Sequence, residues 1–308
     1  MTSESTLTQP PGPWRAVAGV LGDIKLAHTV FAMPFAVLAV FLARDPDAGL
    51  IWTGVQLVLV VACMFFARTW AMLVNRIVDA RIDVANPRTA GRAVASGRVS
   101  EREAWAVAVG CAGLFLAVCA LFWALLDNPW PLAFGIPVLA WIAFYSITKR
   151  FTRWCHLFLG GALAASPIAA AIAVRPEALL DTEAIWWLAG MVMLWVAGFD
   201  VLYALQDEVF DRDRGLHSIP AAHGARGAVW MSRAMHLGAV FSLAMAWRVD
   251  PRLGVFFGGA VIFAAALLVL EHVVVSRQGL RGLPLAFFTL NGVISVLLGV
   301  VGSAETLY

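Results

Sequence analysis

The chain has 308 residues, 61% of them hydrophobic and only 14% charged, with a formal net charge of +2 at pH 7. No soluble domain of this length hides that much apolar surface, so the composition excludes a water-soluble globule and points to an integral membrane protein. Apolar runs of about 20 residues, enough to cross a hydrocarbon core of roughly 30 Å, recur along the whole length. They lack the alternating polarity of outer-membrane strands, so an all-α architecture is expected.

In chain order, residues 1–16 read as a polar tail with no basic segment of a cleavable signal, so the first span is expected to act as an uncleaved anchor. Nine transmembrane spans are expected near 17–42, 51–75, 104–126, 130–148, 155–174, 185–206, 227–247, 253–275 and 283–302, with 303–308 as a second tail. They form a single domain, 17–302, and Pro34, Pro137 and Pro167 fall inside spans, where neighbouring helices must compensate the lost backbone bonds. With the N-terminus in the cytoplasm, 17 of the lysines and arginines lie inside and four (Arg44, Arg175, Arg248, Arg252) outside, leaving Arg68 within a span. That asymmetry predicts a multi-pass protein of the inner (plasma) membrane with a cytoplasmic N-terminus. Cys63, Cys111, Cys119 and Cys155 show no CxxC spacing and are expected to be packed, reduced thiols. No phosphate-cradling P-loop is present, "GGALAAS" (160–166) reads as small-residue helix packing, and no nucleic-acid partner is expected.

Two long polar connections, 76–103 and 208–226, fall on the cytoplasmic side and read as caps over the bundle. Each follows an acidic motif: "NRIVDARID" (75–83) and "DVLYALQDEVFD" (200–211). Residues four apart on a helix drift by only ~40°, so Asn75, Asp79 and Asp83 are expected on one face, and Asp207 with Asp211 on another. A lone carboxylate beside arginines is often a solvated helix end. Two such clusters on the same membrane side suit Mg²⁺ better, since this ion takes one or two carboxylates together with waters and phosphate oxygens. Without a cation between them, the like charges would only repel.

Asp200 lies about two turns deeper than Asp207; at that depth an ionisable group is a functional candidate or a partner in a helix–helix hydrogen bond. Tyr203 is a second candidate, or an ordinary interface tyrosine. Arg68 stands two turns into the bilayer on the Asn75 face and needs an anion, supplied either by another helix, Asp200 for example, or by a substrate. Lys149 and Arg150 at the end of the fourth span, Arg88 and Arg92 in "NPRTAGR", and Lys25 in "DIKLAHTVFAMP" are placed to reach a diphosphate.

These residues resemble a known family. "NRIVDARID" is similar to the NxxxDxxxD motif, and "DVLYALQDEVFD" to the DxxYxxxDxxxD motif, of the UbiA superfamily of intramembrane prenyltransferases. The likeness extends over nearly the whole chain, including "YSITKR" at the end of the fourth span and the proline of the first. It implies a UbiA-type nine-helix bundle. It implies also that Asn75, Asp79 and Asp83 bind one Mg²⁺, that Asp207 and Asp211 bind a second, and that the cytoplasmic cations clamp a polyprenyl diphosphate. Within the family the chain looks most like 4-hydroxybenzoate polyprenyltransferases, which implies that Arg68, with Asn75 beside it, meets the carboxylate of an aromatic acceptor. Asp200 or Tyr203 would then stabilise the allylic cation or accept the ring proton. Stretches such as "KLAHTVFAMPFA" are similar also to a subgroup assigned to menaquinone synthesis by the futalosine route, whose acceptor is a hydroxynaphthoate. One departure is "RAVASG" at 92–97, where the family often has "RPLPSG". The expectation is therefore a Mg²⁺-dependent aromatic prenyltransferase of ubiquinone or menaquinone synthesis, embedded in membrane lipid with its site facing the cytoplasm. An ion-coupled transporter of an anionic substrate is the reading from another class.

Overall fold

The computed structural model describes residues 29–45, 47 and 49–307, and every regular element among them is helical. The long helices are α1 (Thr29–Ala43), α2 (Leu50–Val78), α3 (Glu101–Leu126), α4 (Trp130–Thr148), α5 (Cys155–Val174), α6 (Ala184–Tyr203), α7 (Ile219–Val249), α8 (Val255–Gln278) and α9 (Asn291–Glu305). A wide π-helical turn, Leu285–Leu290, leads into α9. Seven segments are long and apolar enough to cross a membrane: α2 to α5, Ala184–Asp213, Val255–Gly282 and Leu285–Glu305. Of the other two expected spans, α1 contributes a shorter apolar helix, Phe31–Ala43, within the described residues. The other, α7, has the length, but Ser232, Arg233 and His236 dilute its apolar character.

The helices are greasy on the outside as well as within. Ile51, Val255 and Phe256 are 82%, 76% and 75% exposed, which in water would be a liability and in lipid is the ordinary state. Exposed tryptophans such as Trp52, Trp123, Trp130 and Trp154 stand near helix ends, as interfacial aromatic belts do.

α6 is the central rod. In its most apolar stretch 61% of residues are buried, against 17% in α2 and in α3, so α6 is apolar on every side and encircled by protein. It packs on α5 and α7. Around it, Trp195 and Ile185 of α6 meet Phe35, Leu38 and Leu42 of α1, Phe257 of α8, and Ile294 and Leu298 of α9. The indole N–H of Trp195 donates to Asn291 Oδ1 (2.6 Å), a buried polar tie from α6 to α9. α5 approaches α6 closely at Gly160, where any Cβ would collide with the carbonyl oxygen of Met193. α2 pairs with α3 on the far side of the bundle.

The helix ends follow local chemistry. α3 starts at Ser100 with a capping box: Ser100 Oγ accepts from Glu103 N–H (3.2 Å), and Glu103 accepts from Ser100 N–H (2.9 Å). α7 begins at Ile219, eight residues ahead of the expected 227, because Ser218 caps it and Pro220 suits a first turn. The helix then kinks at Gly224, whose φ of 68° a side chain would resist. Much of the expected cap regions is thus helical, with Ala80–Ala85 and Glu208–Asp213 as short helices in them.

Candidate active site

Both acidic motifs sit where a membrane helix tightens and restarts. α2 gives way at Asp79 (φ −89°, ψ 2°) to the short helix Ala80–Ala85. α6 passes through a tight turn, Ala204–Asp207, and restarts after Asp207 (φ −106°, ψ 3°). The expectation of one continuous helical face therefore needs amendment: each motif is split at its central aspartate. In the first motif the four-residue register survives, because Asp79 N–H still reaches Asn75 O (3.0 Å) and Asp83 N–H reaches Asp79 O (2.8 Å).

Every central carboxylate is met by cations. Asp79, 2% exposed, accepts from Asn75 Nδ2 (3.2 Å) and is paired with Lys149 Nζ (3.0 Å) and Arg150 (3.2 Å) from the end of α4. Arg150 also donates to the carbonyl of Val78 (2.7 Å), capping the end of α2. Asp83, also buried, has both oxygens on Arg92 Nη1 at 2.7 Å. Asp207 receives Asn86 Nδ2 (3.0 Å) and the guanidinium of Arg88, whose Nε lies 3.0 Å away and whose Nη2 grips the second oxygen. Burial works against the charge on Arg88, but the hydrogen bonds and charge of Asp207 outweigh it and hold the guanidinium above its ordinary value. Arg88 also lies over the ring of Tyr203, 5.6 Å from its centre. The connection after α2 thus crosses to the end of α6 and ties the two motifs together. Asp211 is buried beside Ser218, within the field of Asp207 and Lys149. The backbone of the α6–α7 connection is bound to α4 as well, through His217 N–H on Lys149 O (2.7 Å).

Below this charged layer lies a largely apolar cavity of about 450 Å³. Arg68, Asn75, Asp200 and Tyr203 all line it. Arg68 Nε is buried without a hydrogen-bond partner among the described residues. Of the two counter-ions open to Arg68 from the sequence, Asp200 is engaged elsewhere: its Oδ2 sits 2.7 Å from His156 Nδ1. Lys25 lies outside the described residues. His156 and Asn86 were not among the sequence candidates. One histidine at the start of an apolar span, or one asparagine in a turn, has no spacing that marks it; each is found only through a contact to another helix.

Among the described residues no three His, Cys, Asp or Glu side chains gather around one point as a ready-made metal cage. The donors present are hard oxygens in ones and twos, which fits Mg²⁺, an ion that completes its shell with water and phosphate. Such an ion would be held by Asp79 with Asn75 or Asp83 on one side and by Asp207 with Asp211 on the other.

Charged groups crowd one end of a bundle whose remaining space is apolar, an arrangement suited to a substrate with a charged head and a hydrocarbon tail, and it defines the class of membrane-embedded enzymes. Comparison with known proteins gives the family. The model of the UbiA prenyltransferase family matches residues 31–298, and the chain belongs to that family; it is a prenyl-transferring enzyme. Among similar curated proteins are the 4-hydroxybenzoate octaprenyltransferases of Saccharophagus degradans (28% identical, 87% of this chain and 85% of that protein) and Azotobacter vinelandii (27%, 87% and 86%). The apo structure of a UbiA homolog from Aeropyrum pernix K1 is 31% identical and superposes with a TM-score of 0.79 over 90% of this chain and 97% of its own. A UbiA homolog from Archaeoglobus fulgidus bound to GPP and Mg²⁺ shares the fold at 19% identity, with a TM-score of 0.67 over 96% of this chain and all of its own.

Proposed function

We propose that the enzyme transfers a polyprenyl group from its diphosphate to 4-hydroxybenzoate in quinone biosynthesis, with Mg²⁺ at the two acidic motifs and the site facing the cytoplasm. The observation that carries the acceptor is Arg68, a guanidinium in a membrane span that faces an apolar cavity with its Nε unsatisfied. A buried cation without a counter-ion is costly, and a small aromatic carboxylate supplies both the anion and the shape. The names of the curated relatives and the GPP-bound neighbour support the same reading.

The residues divide the work by depth. When diphosphate arrives, Lys149, Arg150, Arg88 and Arg92 exchange their carboxylate partners for phosphate oxygens, and the carboxylates so released would hold the divalent ions. Bound Mg²⁺ supplies charge neutralisation of the leaving diphosphate, which allows the allylic C–O bond to break. The prenyl chain occupies the apolar part of the cavity, and Arg68 orients the acceptor beneath the charged layer. The two motif connections, tied across by Asn86, keep water from the developing cation. A hydroxynaphthoate carries the same carboxylate and is the alternative acceptor.

The test is an assay of purified protein with Mg²⁺, geranyl diphosphate and either aromatic acid, read by chromatography of the prenylated product. Asp79→Asn is expected to abolish turnover. Arg68→Ala is expected to raise KM for the acid about 10- to 100-fold, the cost of one charge-assisted contact, with a smaller effect on the donor. Full activity in Asp79→Asn, or an unchanged KM in Arg68→Ala, overturns that assignment.

A further inference from the structure

Alkylating an aromatic ring releases a proton, and among the described residues the cavity wall carries one carboxylate that is not occupied by the basic groups at the motifs. Among the described residues, Asp200 is held by His156 alone. His156 is 2% exposed, its Nδ1 lies 2.7 Å from Asp200 Oδ2, and its Nε2 accepts the backbone N–H of Ile219 at 3.3 Å. That N–H is one of the orphan donors in the first turn of α7. Because Nε2 is an acceptor there, the ring proton lies on Nδ1 and is donated to Asp200. Both nitrogens are committed, so the imidazole cannot itself take a substrate proton. Asp200 Oδ1, by contrast, makes no hydrogen bond among the described residues, and Asp200 lines the cavity.

With Asp200 in the proton-accepting role that the family resemblance implies, we infer that His156, locked by the start of α7, is the positioning residue that holds the Asp200 carboxylate toward the acceptor ring. The inference rests on the proposed reaction with an aromatic acid. In that reaction the C–O bond to diphosphate breaks and its electron pair leaves with the phosphate. The ring carbon beside the phenolic hydroxyl forms the new C–C bond. The electrons of its C–H bond return to the ring, and the proton passes to Asp200. A neutral N–H donor on Oδ2 keeps the carboxylate ionised and stops it from rotating away, much as histidine and carboxylate fix each other in other sites. It also links the base to the cap, since the Ile219 N–H belongs to the connection that closes over the charged layer.

The test compares wild type with His156→Leu, which keeps bulk and removes the donor, and His156→Asn, which returns an N–H near the Nδ1 position. Each is assayed with Mg²⁺, geranyl diphosphate and 4-hydroxybenzoate or a hydroxynaphthoate, in ordinary and ring-deuterated form. His156→Leu is expected to lose about 100-fold in kcat with KM for the acid within about twofold, because a base is misplaced while binding is kept. The same variant is expected to develop a primary isotope effect with the deuterated acid, as proton loss becomes slow. His156→Asn is expected to recover most of the rate and to lose the isotope effect. A rise in KM at unchanged kcat, or a low kcat with no isotope effect, would make His156 a binding or merely structural residue and overturn the inference. Wild-type turnover with neither acid would sink the acceptor assignment and this inference together; normal wild-type turnover with an unaffected His156→Leu sinks this inference alone.

Discussion

Asp83 and Arg92 show how much a single side chain carries at this site. Asp83 is buried and both of its oxygens depend on Arg92. Removing the cation strands a carboxylate, so Arg92→Ala is expected to cost about 1–3 kcal/mol and to lower the melting temperature in detergent, with Arg92→Lys milder. Thermal unfolding followed by circular dichroism checks this; an unchanged midpoint refutes the dependence. At this scale the sequence was informative where residues repeat along one helix. Asn75, Asp79 and Asp83 could be read from spacing, and Lys149 and Arg150 from their place at a span's end. It was silent on pairings. That Arg88 meets Asp207 over 119 residues of chain, or that His156 rather than Arg68 meets Asp200, depends on how helices lean together, which no local pattern encodes.

Helices were legible because an apolar run of bilayer length has few alternatives. The ends of α2 to α5 fall close to the expected limits for that reason. The early start of α7 is invisible in its apolar run, because Ser218 and Pro220, which set it, lie outside that run. The splits at Asp79 and Asp207 were equally hidden, since both positions remain compatible with a continuous helix. Two substitutions separate local from tertiary contributions. Ser100→Ala removes the cap of α3 and is expected to cost about 1 kcal/mol. Gly160→Val drives a side chain into the backbone of α6 and is expected to cost more, on the order of 3 kcal/mol, because α6 cannot retreat from a close-packed core. Denaturation midpoints for the two variants decide the order.

Across the whole molecule, the basic residues are expected to set the orientation, and the reading of nine spans with a cytoplasmic site is open to direct test. In a background without the four native cysteines, Ser96→Cys, exposed in the connection after α2, is expected to resist a membrane-impermeant maleimide in intact cells until they are permeabilised. Glu177→Cys, exposed at the opposite end between α5 and α6, is expected to react at once. The reverse pattern would invert the topology.

The Nε of Arg68, buried with no hydrogen-bond partner among the described residues, has a consequence for pharmacology. A host that harbours such a positive charge in its greasy interior should welcome any flat organic acid of fitting size, whether or not that guest can be alkylated. Benzoate itself, lacking the hydroxyl that activates the ring, is expected to raise the melting temperature of the wild type and leave Arg68→Ala unmoved, and to behave as a dead-end competitor of the true acceptor.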